Sequence, residues 1–312
     1  MWRFHVSAFG VLALLATPAL HAADAKRVTV KYAAKPAPHA PVRKYRNAVS
    51  QPSTSISAAG TPNLKSSTAL VVDLEGGHTI YGKNAQNKTP IASITKLMTS
   101  MVVLDANLPP DEMIYIDAAD YDAVKRTKSR LSVGTGLSRQ EMLRLALMSS
   151  ENRAAAALAR AYPGGSEAFV AAMNRKAVEL GMWNTRFTDS TGLSSENVST
   201  AEDLVKMVKG AYEYPLIRDY TTTTAHEVRT AAGRSLQFRN SNGLVRNSTW
   251  DIGLSKTGYI SEAGRCLVMQ ARIAARPVII VLLDSWGRQT RIGDANRIRK
   301  WLESQSGLKP VS

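Results

Sequence analysis

The hydrophobic pattern of this chain changes period along its length, and the changes divide it into parts. Thr68 to Asp73 is an apolar, β-branched run. Glu75-Gly76-Gly77 punctuates it and His78 to Tyr81 returns, which predicts a hairpin. Pro90 precedes Ile91 to Leu104, where apolar positions recur at helical spacing and predict a buried helix opening at the proline. Glu112 to Ile116 reads as a short strand. Ser138-Arg139-Gln140-Glu141 is a capping box for a helix through Met148. Asn152 to Ala161 continues helically, and Ser166 opens another helix that Gly181 closes. Ser199-Thr200-Ala201-Glu202 is a second capping box, for a helix reaching Tyr212. Beyond it the period becomes that of strands. Ile252 to Gly258, Arg265 to Ile273 and Val278 to Leu283 are joined by short turns, the second holding Pro277, ahead of a last helix from about Asp294 to Glu303. A hairpin, a helical block and a closing meander with its helix describe an α/β chain of the α+β kind. Its expected form is an antiparallel β-sheet flanked by helices plus a helical subdomain.

Composition changes the picture at the N-terminus. The 312 residues are 44% hydrophobic and 21% charged, enough for a sizeable core and one or two domains. Arg3, the apolar stretch Phe9 to Leu15, and Pro18 ahead of small residues read as a secretory signal over residues 1–22, with cleavage after Ala22 or as late as Ala25. That stretch is too short to span a bilayer, and nothing later approaches the roughly 20 apolar residues a span needs. The expectation is an exported, soluble protein. Residues 23–66 are rich in Pro, Ala and Ser and carry eight Lys or Arg against one acid, Asp24, a net +7. The whole chain is at +15, or +14 once Arg3 leaves with the signal, so half of the excess charge sits in this arm. It reads as an extended basic leader ahead of a catalytic domain at 67–312. It is either a solvated linker or a contact for a polyanion such as the cell wall. Export and the scarcity of aromatic interleaving in the arm speak against nucleic acid.

Candidate chemistry begins in the helix after Pro90. Ser93 and Lys96 are three residues apart, so on a helix they share a face. A serine hydroxyl needs a base, and a lysine becomes one only when burial or nearby positive charge lowers its pKa. An apolar helix start offers both conditions. The pattern is loose, and it recurs at Ser306 to Lys309 in the polar tail, so it needs support from elsewhere. Two further motifs give that support. Ser150-Glu151-Asn152 joins two predicted helices, whereas its repeat at Ser195-Glu196-Asn197 sits in a polar loop and reads as a turn. Lys256-Thr257-Gly258, followed by Tyr259, is the only Lys-Thr-Gly and falls on the first strand of the meander. Alternation sends Lys256 and Thr257 to opposite faces, and Gly258 allows close backbone approach. The single cysteine, Cys266, lies in an apolar strand and reads as an inert core thiol. His78 and His226, the histidines outside leader and arm, read as a turn-side surface residue and a loop residue. Neither lies in a nucleophile-elbow or zinc pattern, so no metal or cofactor is expected.

With these three motifs in this order the chain resembles the penicillin-interacting serine hydrolases of the β-lactamase/DD-peptidase-like fold. Residues 92–99 and 147–154, Asn184 to Phe187 and Thr191-Gly192-Leu193 make it most similar to the low-molecular-mass, periplasmic D-alanyl-D-alanine endopeptidases that cut peptidoglycan cross-links. The resemblance covers about Ser67 to Glu303. It implies a periplasmic location, Ser93 acylated by a D-alanyl carbonyl, and Lys96 as its base. Ser150 would relay a proton to the leaving amine, and Asn152 would bind the substrate amide and position Lys96. Lys256 would supply positive charge, Thr257 would bind the terminal carboxylate, and the N–H groups of Ser93 and Tyr259 would form an oxyanion hole. No Glu-x-x-Leu-Asn follows Asn152, so β-lactams are expected to inhibit rather than be turned over. Anchored carboxypeptidase relatives carry an extra β-domain and an amphipathic membrane helix. The chain ends at Ser312 shortly after the last predicted helix, so no membrane anchor is expected and an endopeptidase is favoured. Those relatives also place an arginine before the last helix. Alignment puts Gly293 there, with Arg288 and Arg291 nearby. The alternative activity is a D-alanyl-D-alanine carboxypeptidase trimming pentapeptide stems. A wall-binding protein with a vestigial site is a third reading, which the complete motifs oppose.

Overall fold

The computed structural model describes residues 60–122 and 125–305. The signal at 1–22, most of the basic arm and the Ser306 to Lys309 repeat lie outside the described residues.

The elements follow the chain as β1 (Thr68–Asp73), β2 (Thr79–Lys83), β3 (Thr89–Pro90), α1 (Lys96–Asp105), β4 (Met113–Tyr115), β5 (Gly136–Ser138), α2 (Arg139–Met148), α3 (Asn152–Arg160), α4 (Gly165–Glu179), β6 (Val198–Ser199), α5 (Ala201–Tyr212), α6 (Pro215–Thr222), β7 (Ala225–Arg229), β8 (Ser235–Arg239), β9 (Asp251–Ile260), β10 (Gly264–Ile273), β11 (Arg276–Ser285) and α7 (Thr290–Gln305). Five strands form an antiparallel sheet in the order β2-β1-β11-β10-β9, so the N-terminal hairpin closes against the last strand of the meander. Alternate residues leave the sheet on opposite faces. Leu70, Val72, Val268, Ile279 and Val281 face the helical block. Val71, Leu267, Met269, Ile280 and Leu282 face Ile298, Trp301 and Leu302 of α7. Burial on both faces is why β1, β10 and β11 read as unbroken apolar runs.

On the helical side α1 is packed among α2, α3, α4 and α5. Lys96 to Val103 are buried without a break, so this helix has no solvent face. α7 covers the other face of the sheet, and the chain ahead of β1 is fastened to it. The backbone N–H groups of Lys65 and Ser66 donate to Asp294 at 2.7–3.0 Å, and Trp301 Nε1 donates to the Gly60 carbonyl at 2.8 Å.

Several boundaries differ from the sequence expectation. Pro90 opens no α-helix: Thr89–Pro90 pairs with Val198–Ser199, and a single 3-10 turn, Ala92–Thr95, leads into α1. The cap of α5 is Thr200, whose hydroxyl accepts from Asp203 N, while Ser199 belongs to β6. α7 starts four residues before Asp294. The β7–β8 hairpin and α6 were not expected; β7 buries only Val228, and the alternation of β8, clean as it is, spans only Leu236 and Phe238. His226 lies on β7 rather than a loop, with Nε2 2.8 Å from Glu141 Oε2, and His78 is exposed beside the β1–β2 turn.

Candidate active site

Ser93 lies in the 3-10 turn between the helical block and β9, and it remains slightly accessible, at 9%. Two close backbone approaches fix this turn. A Cβ on Gly258 would stand 2.9 Å from the Ile91 carbonyl and 3.1 Å from Ser93 N. A Cβ on Gly192, at φ +79°, would stand 2.0 Å from the Ala92 carbonyl. Only glycine permits β9 and the 189–193 loop to press on the turn from both sides. Ala92 (φ 48°) and Ser150 (φ 63°) occupy the left-handed region without being glycine. Such residues cost about 1–3 kcal/mol each and persist where surroundings hold them, here beside the two serines the motifs singled out.

Lys96 is fully buried at the start of α1. Its Nζ lies 2.8 Å from Ser93 Oγ, 2.7 Å from Asn152 Oδ1 and 2.6 Å from the Thr191 carbonyl. Burial pushes its pKa down to about 7, with the charges of Asp189 and Glu151 pulling the other way. The three contacts limit how a neutral Lys96 can be oriented. A carbonyl and the amide oxygen of Asn152 can only accept, so a neutral Lys96 gives them its two N–H bonds. The remaining lone pair then faces Ser93, oriented to take the hydroxyl proton.

The second lysine, Lys256 on β9, is also buried. Its Nζ donates to Ser150 Oγ at 2.8 Å and to the Thr257 carbonyl at 2.9 Å. Burial, and then the charges of Lys96 and Arg291, hold its pKa well below the usual lysine range. Thr257 Oγ1 donates to Ser241 Oγ at 2.8 Å, and Asn152 Nδ2 to Thr127 Oγ1 at 3.1 Å. β9 is an edge strand, with β10 on one side only. Tyr259 is exposed at this end of the sheet, with the Arg265 guanidinium 4.4 Å from its ring centre. Ser93, Lys96, Ser150, Asn152, Lys256 and Thr257 are therefore joined in two hydrogen-bonded groups, with Gly258 against the Ser93 turn.

Some parts of this arrangement went unrecognised in the sequence. The Thr191 carbonyl is a ligand of Lys96, and Asp189 holds that loop by accepting from Thr191 N at 2.9 Å, Gly192 N at 3.1 Å and the Thr191 hydroxyl. The second Ser-Glu-Asn is more than a turn. Asn197 is fully buried, accepts from Thr188 N at 2.7 Å and Asp189 N at 3.1 Å, and donates to Thr95 Oγ1 at 3.0 Å and the Asp189 carbonyl at 2.9 Å. Arg291, on α7, has Nε and one terminal nitrogen buried without a hydrogen-bond partner, and its charge reaches Lys256. Gly293 offers no side chain, and of the two arginines that the sequence placed near it Arg291 is the one whose charge reaches Lys256. Cys266 is buried, and burial pushes its thiol up to about 11. It takes no part.

A family model described as D-alanyl-D-alanine carboxypeptidase matches residues 55–287. Over 253 residues the chain is 50% identical to the D-alanyl-D-alanine endopeptidase of Pseudomonas aeruginosa, covering 79% of this chain and 81% of that one. It is 48% identical over 248 residues to the Escherichia coli D-alanyl-D-alanine endopeptidase, covering 79% and 80%. The crystal structure of a Streptomyces DD-transpeptidase superimposes with a TM-score of 0.71 at 30% identity, covering 77% of this chain and 97% of that one.

Proposed function

We infer the function from one premise: the chain belongs to the D-alanyl-D-alanine carboxypeptidase family. It is a serine-type D-alanyl-D-alanine peptidase, and it acts as a DD-endopeptidase that hydrolyses D-alanyl cross-links of peptidoglycan. The observation that carries the mechanism is the environment of Lys96, whose two fixed acceptors leave its lone pair for Ser93. Endopeptidase is preferred because the relatives at 50% and 48% identity bear that name, whereas a carboxypeptidase of Bacillus subtilis is 29% identical.

In this reading Ser93 Oγ attacks the D-alanyl carbonyl as its proton passes to Lys96. The oxyanion rests on the backbone N–H groups of Ser93 and Tyr259. The carbon–nitrogen bond breaks, Ser150 relays the proton to the leaving amine, and water then hydrolyses the ester on Ser93. Asn152 binds the donor amide. Thr257 and Arg291 face the carboxylate next to the leaving amine, and Lys256 holds the Ser150 hydroxyl in place. β-Lactams acylate the same serine and inhibit. Residues 1–22 export the chain to the periplasm, and the basic arm brings it to an anionic wall. Among the described residues no helix is long and apolar enough to cross a membrane.

The test is digestion of cross-linked muropeptide dimers and of monomeric pentapeptide by the wild type and Ser93→Ala, with products resolved by mass. Dimers falling to monomers only with Ser93 intact is the expected result. Release of D-alanine from pentapeptide with dimers untouched would make it a carboxypeptidase.

A further inference from the structure

The hydroxyl of Ser241 reaches the site from outside the three sequence motifs. Its Oγ lies 2.8 Å from Thr257 Oγ1, and among the described residues each hydroxyl is the other's only hydrogen-bond partner. Ser241 sits two residues past β8, in a turn fastened on both sides. Asn240 Nδ2 donates to the Thr221 and Thr223 carbonyls at 3.0 and 2.8 Å, at the end of α6. Asn240 Oδ1 accepts from Asn242 N at 2.9 Å, which closes the turn around residue 241. The N–H of Ser241 donates to the Met148 carbonyl at 2.9 Å, at the end of α2 and two residues ahead of Ser150. The backbone at 241 is thus pinned to two helices, and its side chain is left to Thr257.

Counting protons gives this pair a direction. A carboxylate only accepts, so a Thr257 hydroxyl that binds one must turn its single proton toward it. Ser241 then no longer receives that proton and must give its own to the Thr257 oxygen. Two neutral hydroxyls meet this demand by rotating together, with no heavy atom moving. A row of hydroxyls aimed at a negative charge is polarised along its length, which strengthens the last bond to the charge. Thr257 is β-branched and only 5% exposed, and the Ser241 bond holds one of its few χ1 rotamers.

We propose that Ser241 is a positioning residue for carboxylate recognition: it donates to Thr257 and so turns that hydroxyl toward the carboxylate next to the leaving amine. The inference rests on the function proposed above, which gives Thr257 the carboxylate, and adds the residue behind it. The role is confined to binding. Ser241 Oγ bonds neither Lys96 nor Ser150, so the proton transfers of the reaction do not pass through it.

The experiment uses the charge itself as the variable. Penicillin carries a carboxylate on the carbon beside the lactam nitrogen, the nitrogen that leaves, and its methyl ester lacks only that charge. Acylation by both compounds is measured on the full chain as wild type, Ser241→Ala and Ser241→Thr, over concentrations that separate binding from the acylation step. With Ser241→Ala the second-order rate for the acid should fall about tenfold, expressed in binding with the limiting rate kept, while the ester changes by less than about twofold. Ser241→Thr keeps the hydroxyl and should restore most of the rate for the acid. An equal loss for acid and ester would reduce Ser241 to a structural part of the turn and overturn the proposal, as would no loss for the acid. Wild-type protein that neither compound acylates would overturn the Ser93 reading itself, and this proposal with it.

Discussion

The state of Lys96 gives a quantitative forecast of how acylation depends on pH. An ordinary lysine side chain has a pKa of about 10.4, whereas burial brings Lys96 to about 7. Only the neutral amine can accept the Ser93 proton, so the rate follows the neutral fraction, which lies above the pKa. That fraction is about 3% at pH 5.5 and about 97% at pH 8.5. The second-order rate of acylation by labelled penicillin should therefore rise about thirtyfold across this interval and flatten above pH ~8. The groups facing Lys96 set where the midpoint falls. Asp189 and Glu151 favour its charged form, while the charges of Lys96 and Lys256 disfavour each other. Glu151 is nearly buried and one of its carboxylate oxygens has no partner, so Glu151→Gln removes a charge with little loss of bonding. It should move the midpoint to lower pH. A stopped-flow series in fluorescent penicillin measures both profiles. A log rate still rising by one unit per pH unit through pH 9 would mean that Lys96 titrates as a free lysine, and the argument that burial makes it a base near neutral pH would be wrong.

Two substitutions test how the nucleophile is held. Asn197→Ala deletes a side chain with five hydrogen bonds, to the 188–189 backbone, the Thr188 hydroxyl and Thr95. It should cost about 3 kcal/mol in equilibrium denaturation and lower penicillin acylation, since the Thr191 carbonyl is no longer fixed; no loss in either would show that the loop is held elsewhere. Gly192→Ala places a Cβ 2.0 Å from the Ala92 carbonyl at φ +79°. Displacement of the Ser93 turn should reduce acylation by about a hundredfold with a lower melting temperature, and an unchanged rate would refute the close approach.

Much of this architecture is visible in the chain because its signals are local. β1, β10 and β11 announce themselves as apolar runs since both faces of the sheet are covered, and α2 by Ser138, whose hydroxyl accepts from Glu141 N. The Ser93 segment is a partial exception. Its apolar periodicity located α1, yet Pro90 did not begin a helix, because pairing with Val198 and pressure from Gly192 and Gly258 impose a 3-10 turn first. The β7–β8 hairpin was invisible because only Val228, Leu236 and Phe238 are buried along it.

The candidate site divides in the same way. Residue types at short spacing carried Ser93 with Lys96, Ser150 with Asn152, and Lys256 with Thr257, because each pair must be covalently close to share an element. What joins the pairs is distant in sequence. Lys96 meets Asn152 across 56 residues and Thr191 across 95, and Lys256 meets Ser150 across 106. No periodicity encodes such contacts. The Thr191 ligand is a backbone carbonyl, which every residue possesses, so no side chain could have marked it. Asn197 does close a turn, its N–H reaching the Ser194 carbonyl at 3.4 Å, but the role of its side chain depends on burial against Thr95, which the sequence does not show. The sequence by itself determined which groups can react and which elements carry them. Tertiary structure alone decided that one lysine would be stripped of water and given two fixed acceptors, for burial and long-range hydrogen bonding exist only once the sheet and the helical block have closed on each other.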